Sequence, residues 1–592
     1  MFEAMPTQQS HGNYLTEIRC SWLSEKTNPF LCTSASWPTT VRVLDPSLES
    51  CKPDRDILVC RLTTQDSFSH PGVASLLNDA FIPILIDREE RPDLDAIYQN
   101  YSEAVNATGG WPLNLFLTPD LYPIFGGTYW PGPGTEHSLA GSAGDEAYTD
   151  FLAISKKIHA FWTDQEERCR KEAFEMLSKL QDFAQEGTSA PAGSLSGAPS
   201  SLTEVDTADL DIDQLDEALT KISQMFDSVH GGFGTPKFPN APRLSFLLRL
   251  AHFPQEAKDV LGEEEVKKAA DMALTTLRRI RDRSLRDHLG AGFMRFSVTR
   301  DWSLPHFEKM AGENALLLGV FLDAWLHSSK GPLTVDDEFV NVVLELADYL
   351  SGPTIHLPSG GFTSSEAADS YYRKGEQHMH EGAYYLWTRR EFDQVLSGDD
   401  GDGQHISLVA AAHWNVREDG NVPREQDPYD EFLNQNVLCV VKDVEDLSKQ
   451  FGVPAAELQR ILSVSKEKLR SHREKERVQP ERDGKIVVAT NGMIISALAR
   501  TAGVVAAVDA DRARRYVEAA KTTARFLREK AVAGYGAEKA LRRYYLDGAS
   551  ATRAFADDYA FLIEGLLDLY EATLETEWLS WAHSLQGTRS RS

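Results

Sequence analysis

Two histidines and several carboxylates crowd one stretch of the chain: Asp287-His288, then Asp301-Trp302, then Pro305-His306-Phe307-Glu308-Lys309-Met310, with the Gly-rich turn Gly290-Ala291-Gly292-Phe293 between them. Imidazole titrates near neutrality and can take or give a proton, and a nearby carboxylate can orient it. The spacing predicts a helix over 306–328, on which His306, Met310, Glu313, Leu317, Val320 and Ala324 share one face. The apolar half of that face must be buried. His306 and Glu313 then stand at its mouth, where a polar group is costly unless partnered or used. Taken singly, His306 also suits a hydrogen-bonded core histidine, and Glu308 a first-turn carboxylate favoured by the helix dipole. Together with Asp287 and His288 they point to a site.

Around this stretch the 592-residue chain is too long for one core. Residues 1–55 show little periodicity and read as a poorly ordered or atypical segment. From 56 to 186 the pattern is α/β: a strand at Ile57–Cys60, a helix over 70–80, a strand over 81–86, a helix over 93–106, strands at 113–117 and 122–125, and a long helix over 151–186. Gly109-Gly110-Trp111-Pro112, directly before a strand, is a candidate for a cis bond. Residues 187–211, rich in Ser, Ala, Gly and Pro, read as a flexible linker.

The remainder, 212–592, reads as helical, with helices near 213–228, 243–253, 264–283, 306–328, 336–351, 389–397, 454–472, 491–507, 511–530 and 557–574. Gly231-Gly232-Phe233, Gly290-Ala291-Gly292-Phe293 and Gly360-Gly361-Phe362 recur between them, as helical hairpins closing into a ring would require.

A formal net charge of -28 argues against nucleic acid or an anionic membrane as partner. No apolar run of about eighteen residues is evident. Six cysteines, without a C-x-x-C pair, suit reduced thiols in an intracellular, cytoplasmic protein. No H-E-x-x-H spacing occurs, and neither metal nor cofactor is expected.

Glu90-Arg91-Pro92-Asp93-Leu94-Asp95, the segment 109–119 and Phe125-Gly126-Gly127-Thr128-Tyr129 resemble the thioredoxin-like domain of the spermatogenesis-associated protein 20 family. Gly234-Thr235-Pro236-Lys237-Phe238-Pro239, Glu366-Ala367-Ala368-Asp369-Ser370, the segment 382–388, Asn491-Gly492-Met493 and 558–562 resemble its C-terminal region, which is similar to the (α/α)6 six-hairpin toroids of certain glycosidases and sugar epimerases. The resemblance implies a multidomain α/β plus all-α chain, a thioredoxin-like domain followed by an (α/α)6 toroid. In the family a Cys-x-x-Cys lies ahead of the Ser67-Phe68 pair. Here its second cysteine aligns with Cys60 and its first with Ile57, and one thiol cannot resolve a mixed disulfide. The family's His, Leu-Tyr-Asp and Trp are replaced by Met294, Ala311-Gly312-Glu313 and Thr490.

A toroid of this kind implies a funnel built by the loops entering its inner helices. Asp287, His288, His306, Glu308 and Asp558 are then the acid–base candidates, with Phe293, Trp302, Glu313, Glu366, Trp387 and Asn491 as substrate-binding residues. Carboxylates among aromatic platforms suit a sugar-like ligand. Two reactions fit: glycoside hydrolysis by Glu308 with Asp287 or Asp558, or epimerisation through His288 and His306. A thioredoxin-like redox factor and a catalytically degenerate binding scaffold are the alternatives.

Overall fold

The computed structural model describes residues 30–35, 42–43, 67–107, 109–134, 150–188, 213–397, 403–427, 430–534 and 540–589. The expected strand at Ile57–Cys60, and with it the degenerate redox pair, lies outside them, as does the expected linker from residue 189 onward. The chain divides into two compact units, Met1–Leu202 and Thr203–Ser592.

The first unit holds a five-stranded sheet in the order β2-β3-β1-β4-β5, from β1 (Phe30–Ala35), β2 (Arg42–Val43), β3 (Ile82–Asp87), β4 (Leu113–Leu117) and β5 (Pro123–Gly127). β1 runs parallel to β3 and antiparallel to β4. The parallel partner of β3 therefore comes from a segment expected to lack regular structure, because Thr and Ser break the apolar alternation of β1 after Phe30-Leu31-Cys32. Helices α1 (Pro71–Ala80) and α2 (Pro92–Asn106) each begin on a proline, whose missing N–H costs nothing in a first turn. Strand β4 alternates Leu113, Leu115 and Leu117 against Tyr98 and Tyr101 of α2, while Phe116 packs with Val73 and Leu77 of α1 and Phe151 of the long α3 (Phe151–Thr188). The Trp111–Pro112 bond is cis, as expected, and so is Thr235–Pro236.

In the second unit, α4 (Asp213–Met225) leads to α5 (Ala241–Arg249), α6 (Gln255–Leu261), α7 (Glu263–Asp282), α8 (Ala311–Ser328) and α9 (Val340–Ser351). The excursion α10 (Arg389–Leu396), α11 (Gly403–Trp414), α12 (Val444–Phe451) and α13 (Ala455–Glu476) follows, then α14 (Val488–Val505), α15 (Ala510–Lys530), α16 (Ala556–Thr573) and α17 (Thr576–Arg589). Helices α5, α8, α14 and α16 touch in succession as an inner layer. α7, α9, α15 and α17 back them as an outer one, and α10 to α13 pack on one another. This alternation of outer and inner helices is the course of an (α/α)6 toroid. α8 and α14 bury most of their residues, as inner helices must. α14 is the one described helix long and apolar enough to cross a membrane, and it lies in this core.

The helix expected from 306 begins at Ala311. Residues 305–310 instead form two short strands, because pairing with distant loops overrides their local helical spacing: β7 (Pro305–His306) pairs with β6 (Phe296–Ser297), and β8 (Lys309–Met310) with β9 (Ser365–Glu366). β9 also pairs with the short strand Arg482–Asp483, and Ile486–Val487 with Tyr544–Tyr545. The loops that run from outer to inner helices are thus laced together at the end where the inner helices begin.

Candidate functional site

The recurrent glycine–aromatic turns are the frame of this end. Phe293 is pinned by Asn314 of α8, whose side chain accepts from its N–H at 2.7 Å and donates to its carbonyl at 2.9 Å. Phe362 is held in the same way by Asn491 of α14, at 2.8 and 3.0 Å. Gly232, at φ +74°, lies against the Trp302 indole, where an added Cβ would sit 2.5 Å from Cζ2. Phe293, Trp302 and Asn491, expected on the ligand, are buried framework instead. The Trp302 indole donates to the His230 carbonyl at 3.1 Å.

Beneath lies a charge hub on Asp287. Its carboxylate accepts from Lys309 Nζ at 3.0 Å, from both terminal nitrogens of Arg473 at 2.8 and 3.1 Å, and from the N–H groups of Leu289 and Gly290. Burial alone would raise this carboxyl, but the two cations outweigh it and hold it well below the usual range. Lys309 stands over the Tyr385 ring at 4.9 Å and Arg473 over Tyr384 at 4.6 Å. Both oxygens of Asp287 are therefore engaged.

His288 is also buried, its Nε2 2.9 Å from the Arg283 carbonyl. Burial, helped by the neighbouring Arg286 charge, pushes its imidazole down to about 3. A base whose folded pKa is depressed loses stability as pH falls below its unfolded value of about 6.5. Wild-type protein is therefore expected to lose about 2 kcal/mol through this group between pH 7 and pH 5. Denaturant midpoints of wild type and His288→Gln across that interval check this, and parallel pH profiles would contradict it.

His306 is different. Its ring stacks on Phe296, its partner across β6–β7, at 5.2 Å, and Phe296 stacks at 4.7 Å on the exposed Phe238. Nδ1 lies 2.7 Å from Oε1 of Glu381, at the end of β11 (His380–Glu381), and Nε2 lies 4.0 Å from Oε2 of Glu308. Glu308 in turn pairs with Arg295 at 3.0 Å, and Arg295 reaches Glu313 at 3.4 Å. Burial opposes charging His306, but Glu381 and then Glu308 overcome it and raise the imidazole above its ordinary value. His306, Glu308 and Glu313 are thus brought together, with Glu381, Arg295, Phe296 and Phe238, which the residue pattern did not single out. Arg295 and Phe296 lie in the same turn as Met294, whose place in the apolar core explains why a methionine suits that position.

The remaining candidates are not among the side chains that contact His306. Glu366 is buried on β9 and accepts from the Tyr349 hydroxyl. Trp387 is fully buried, with Arg477 4.2 Å over its ring. Asp558 is fully buried, its oxygens taken by Arg543 at 2.8 Å and by the N–H groups of Ala489 and Phe555 at 2.9 and 2.8 Å. It ties the first turns of α14 and α16 together.

Fold and site define a two-domain protein, a thioredoxin-like domain followed by an (α/α)6 toroid with an ion-paired hub and a histidine–carboxylate cluster at one end. Residues 57–181 match the family model Thioredox_DsbH, described as a protein of unknown function, DUF255. Spermatogenesis-associated protein 20 of Homo sapiens is 32% identical over 546 residues, 90% of this chain and 63% of that protein. The uncharacterized protein B0495.5 of Caenorhabditis elegans is 32% identical over 539 residues, 89% of this chain and 66% of that protein. The chain is similar to spermatogenesis-associated protein 20 over about 90% of its own length, and it spans just under two-thirds of the length of these relatives. Among solved structures, a sugar epimerase from a ruminal bacterium is 12% identical with a TM-score of 0.25, covering 63% of this chain and 86% of that one. The cellobiose 2-epimerase of Bacillus thermoamylovorans is 9% identical with a TM-score of 0.20, covering 61% and 99%.

Proposed function

We propose that the second unit binds a carbohydrate-type small molecule at the His306 cluster and moves a proton on it by acid–base chemistry. The observation that carries this reading is the placement of His306, with a carboxylate near each ring nitrogen and an aromatic ring against its face. Glu381 orients the imidazole through Nδ1, which leaves Nε2 to exchange a proton with a ligand. The outer ring of the stack, Phe238, is an exposed apolar face of the kind on which a sugar packs its C–H side. Arg295 offers a fixed positive charge beside it, able to stabilise an oxyanion that develops when a proton leaves a carbon next to a carbonyl.

Of the two reactions allowed by residue type, the geometry favours proton transfer at carbon over glycoside hydrolysis. Hydrolysis needs two carboxyl groups free to act on one bond. Asp287 spends both oxygens on Lys309 and Arg473, and Asp558 spends its own on Arg543 and backbone.

The test is a panel of neutral aldoses and ketoses, scored first by a saturable rise in melting temperature. Any sugar that binds is then followed by NMR for exchange of its C2 proton in heavy water. His306→Gln and Glu381→Gln are each expected to slow that exchange about 100-fold. If no neutral sugar shifts the melting temperature, or if exchange survives in His306→Gln, the reading is wrong.

A further inference from the structure

A cleft of about 1030 Å³ opens between the loop joining β10 (Asp369–Ser370) to β11, the first turns of α10 and the last turn of α13, and none of its lining residues belongs to the His306 cluster. Its charge runs against the rest of the molecule. In a chain of net charge -28 it is lined by Arg373, Lys374, Arg390, Lys475 and Arg477, against three glutamates.

One of those glutamates is already committed. Glu391 accepts from Arg477 Nη2 at 2.8 Å and lies 3.3 Å from His472 Nε2. Arg477 itself is buried and donates to the carbonyls of Ala383, Tyr384 and Leu386, so it forms the wall. The other four cations are exposed and come from three separate segments, so their convergence is a product of the fold. Lys374 takes one carbonyl, that of Lys475, at 3.1 Å. Gathering like charges around a concavity costs energy and focuses a positive potential into it. Arg390 stands in the first turn of α10, where the helix adds its own partial positive charge. Tyr372, half-buried at the rim with its ring tilted against that of His380 at 5.4 Å, supplies an apolar surface.

We infer that this cleft binds a small organic molecule bearing a phosphate ester. Several cations reaching in from different sides suit a dianion with three outward oxygens, and the volume leaves room for the organic part at the upper end of small-molecule sites.

Glucose 6-phosphate and inorganic phosphate are the probes, titrated into the full chain at an ionic strength held constant with potassium chloride, with unphosphorylated glucose alongside. At least one phosphate probe is expected to bind saturably by calorimetry. Arg390→Glu combined with Lys475→Glu should weaken it tenfold or more, and His306→Gln should leave it unchanged. That last comparison separates this site from the proton-transfer site, since either can fail without the other. Both substituted side chains are exposed, and the ligand-free melting temperature reports whether the variant folds; Arg373→Ala, expected to weaken binding several-fold, is the milder second variant. Absence of saturable binding by both phosphate probes, or binding that the charge reversals leave intact, would overturn the inference.

Discussion

Asp287→Ala is expected to destabilise the second unit by about 3–5 kcal/mol, the cost of leaving buried charge uncompensated. Lys309 and Arg473 each expose only 4% of their side chains, so neither can recover its lost partner from water. The carboxylate also accepts the N–H groups of Leu289 and Gly290, which would lose their acceptor together with the charge. Asp287→Asn keeps an acceptor of the same shape and should fall between wild type and alanine. Guanidinium unfolding followed by tryptophan fluorescence measures both variants, and an alanine cost below about 1 kcal/mol would refute the hub. The sign with pH follows from the same contacts. A carboxyl depressed in the fold adds stability above its unfolded pKa near 3.9, and that stability drains as pH falls through and below that value.

Gly492→Ala is expected to cost about 3 kcal/mol. Gly492 lies where α14 crosses α16, and an added Cβ would stand 2.5 Å from the carbonyl of Phe561 and 2.6 Å from the nitrogen of Leu562. Gly565 answers it from α16, its own Cβ position 2.5 Å from the Gly492 oxygen. The neighbours are backbone, which cannot swing aside as a side chain does, so the helices must separate. Overpacking of this kind costs about 1–3 kcal/mol in general, and a rigid backbone contact belongs at the top of that range. Alanine's better helix propensity returns at most about 1 kcal/mol. Gly503 is the internal control: it lies on the same helix, with nothing within 4 Å of its Cβ position. Gly503→Ala should therefore be neutral or mildly stabilising, by up to about 1 kcal/mol. Thermal unfolding of the two single variants checks the contrast, and equal effects would remove the packing argument.

Where a segment's own period decided its structure, the residue pattern was enough. β4 falls on Leu113–Leu117 as expected, and α15 and α16 begin and end within a residue of their predicted limits. α6, α11, α12 and α17 have no counterpart among the expected helices: α6 and α12 are only seven and eight residues long, and α11 and α17 carry no one-sided apolar stripe. The site was legible only in part, because its contacts are long-range. His306 meets Glu381 across 75 residues, and Asp287 meets Arg473 across 186, distances over which spacing carries no signal. The false helical start at 306 has the same origin, since residues 305–310 take their conformation from β6 and β9. Trp302 and Asn491 looked like ligand contacts because aromatic and amide side chains beside glycine turns serve a frame as well as a site.

The lacing of two-residue strands has a kinetic consequence. β9 joins β8 and the strand Arg482–Asp483, so one small sheet gathers Lys309, Glu366 and Arg482 from far along the sequence. Closing such loops costs chain entropy before any pairing repays it, whereas an outer and inner helix adjacent in sequence can meet early. The helical layers can therefore assemble first, and the end bearing His306 and Glu381 is joined last. Protection of the Lys309 and Glu366 amides from hydrogen exchange would then rise after that of α14 during refolding, which makes this end of the domain a clock for the completion of its fold.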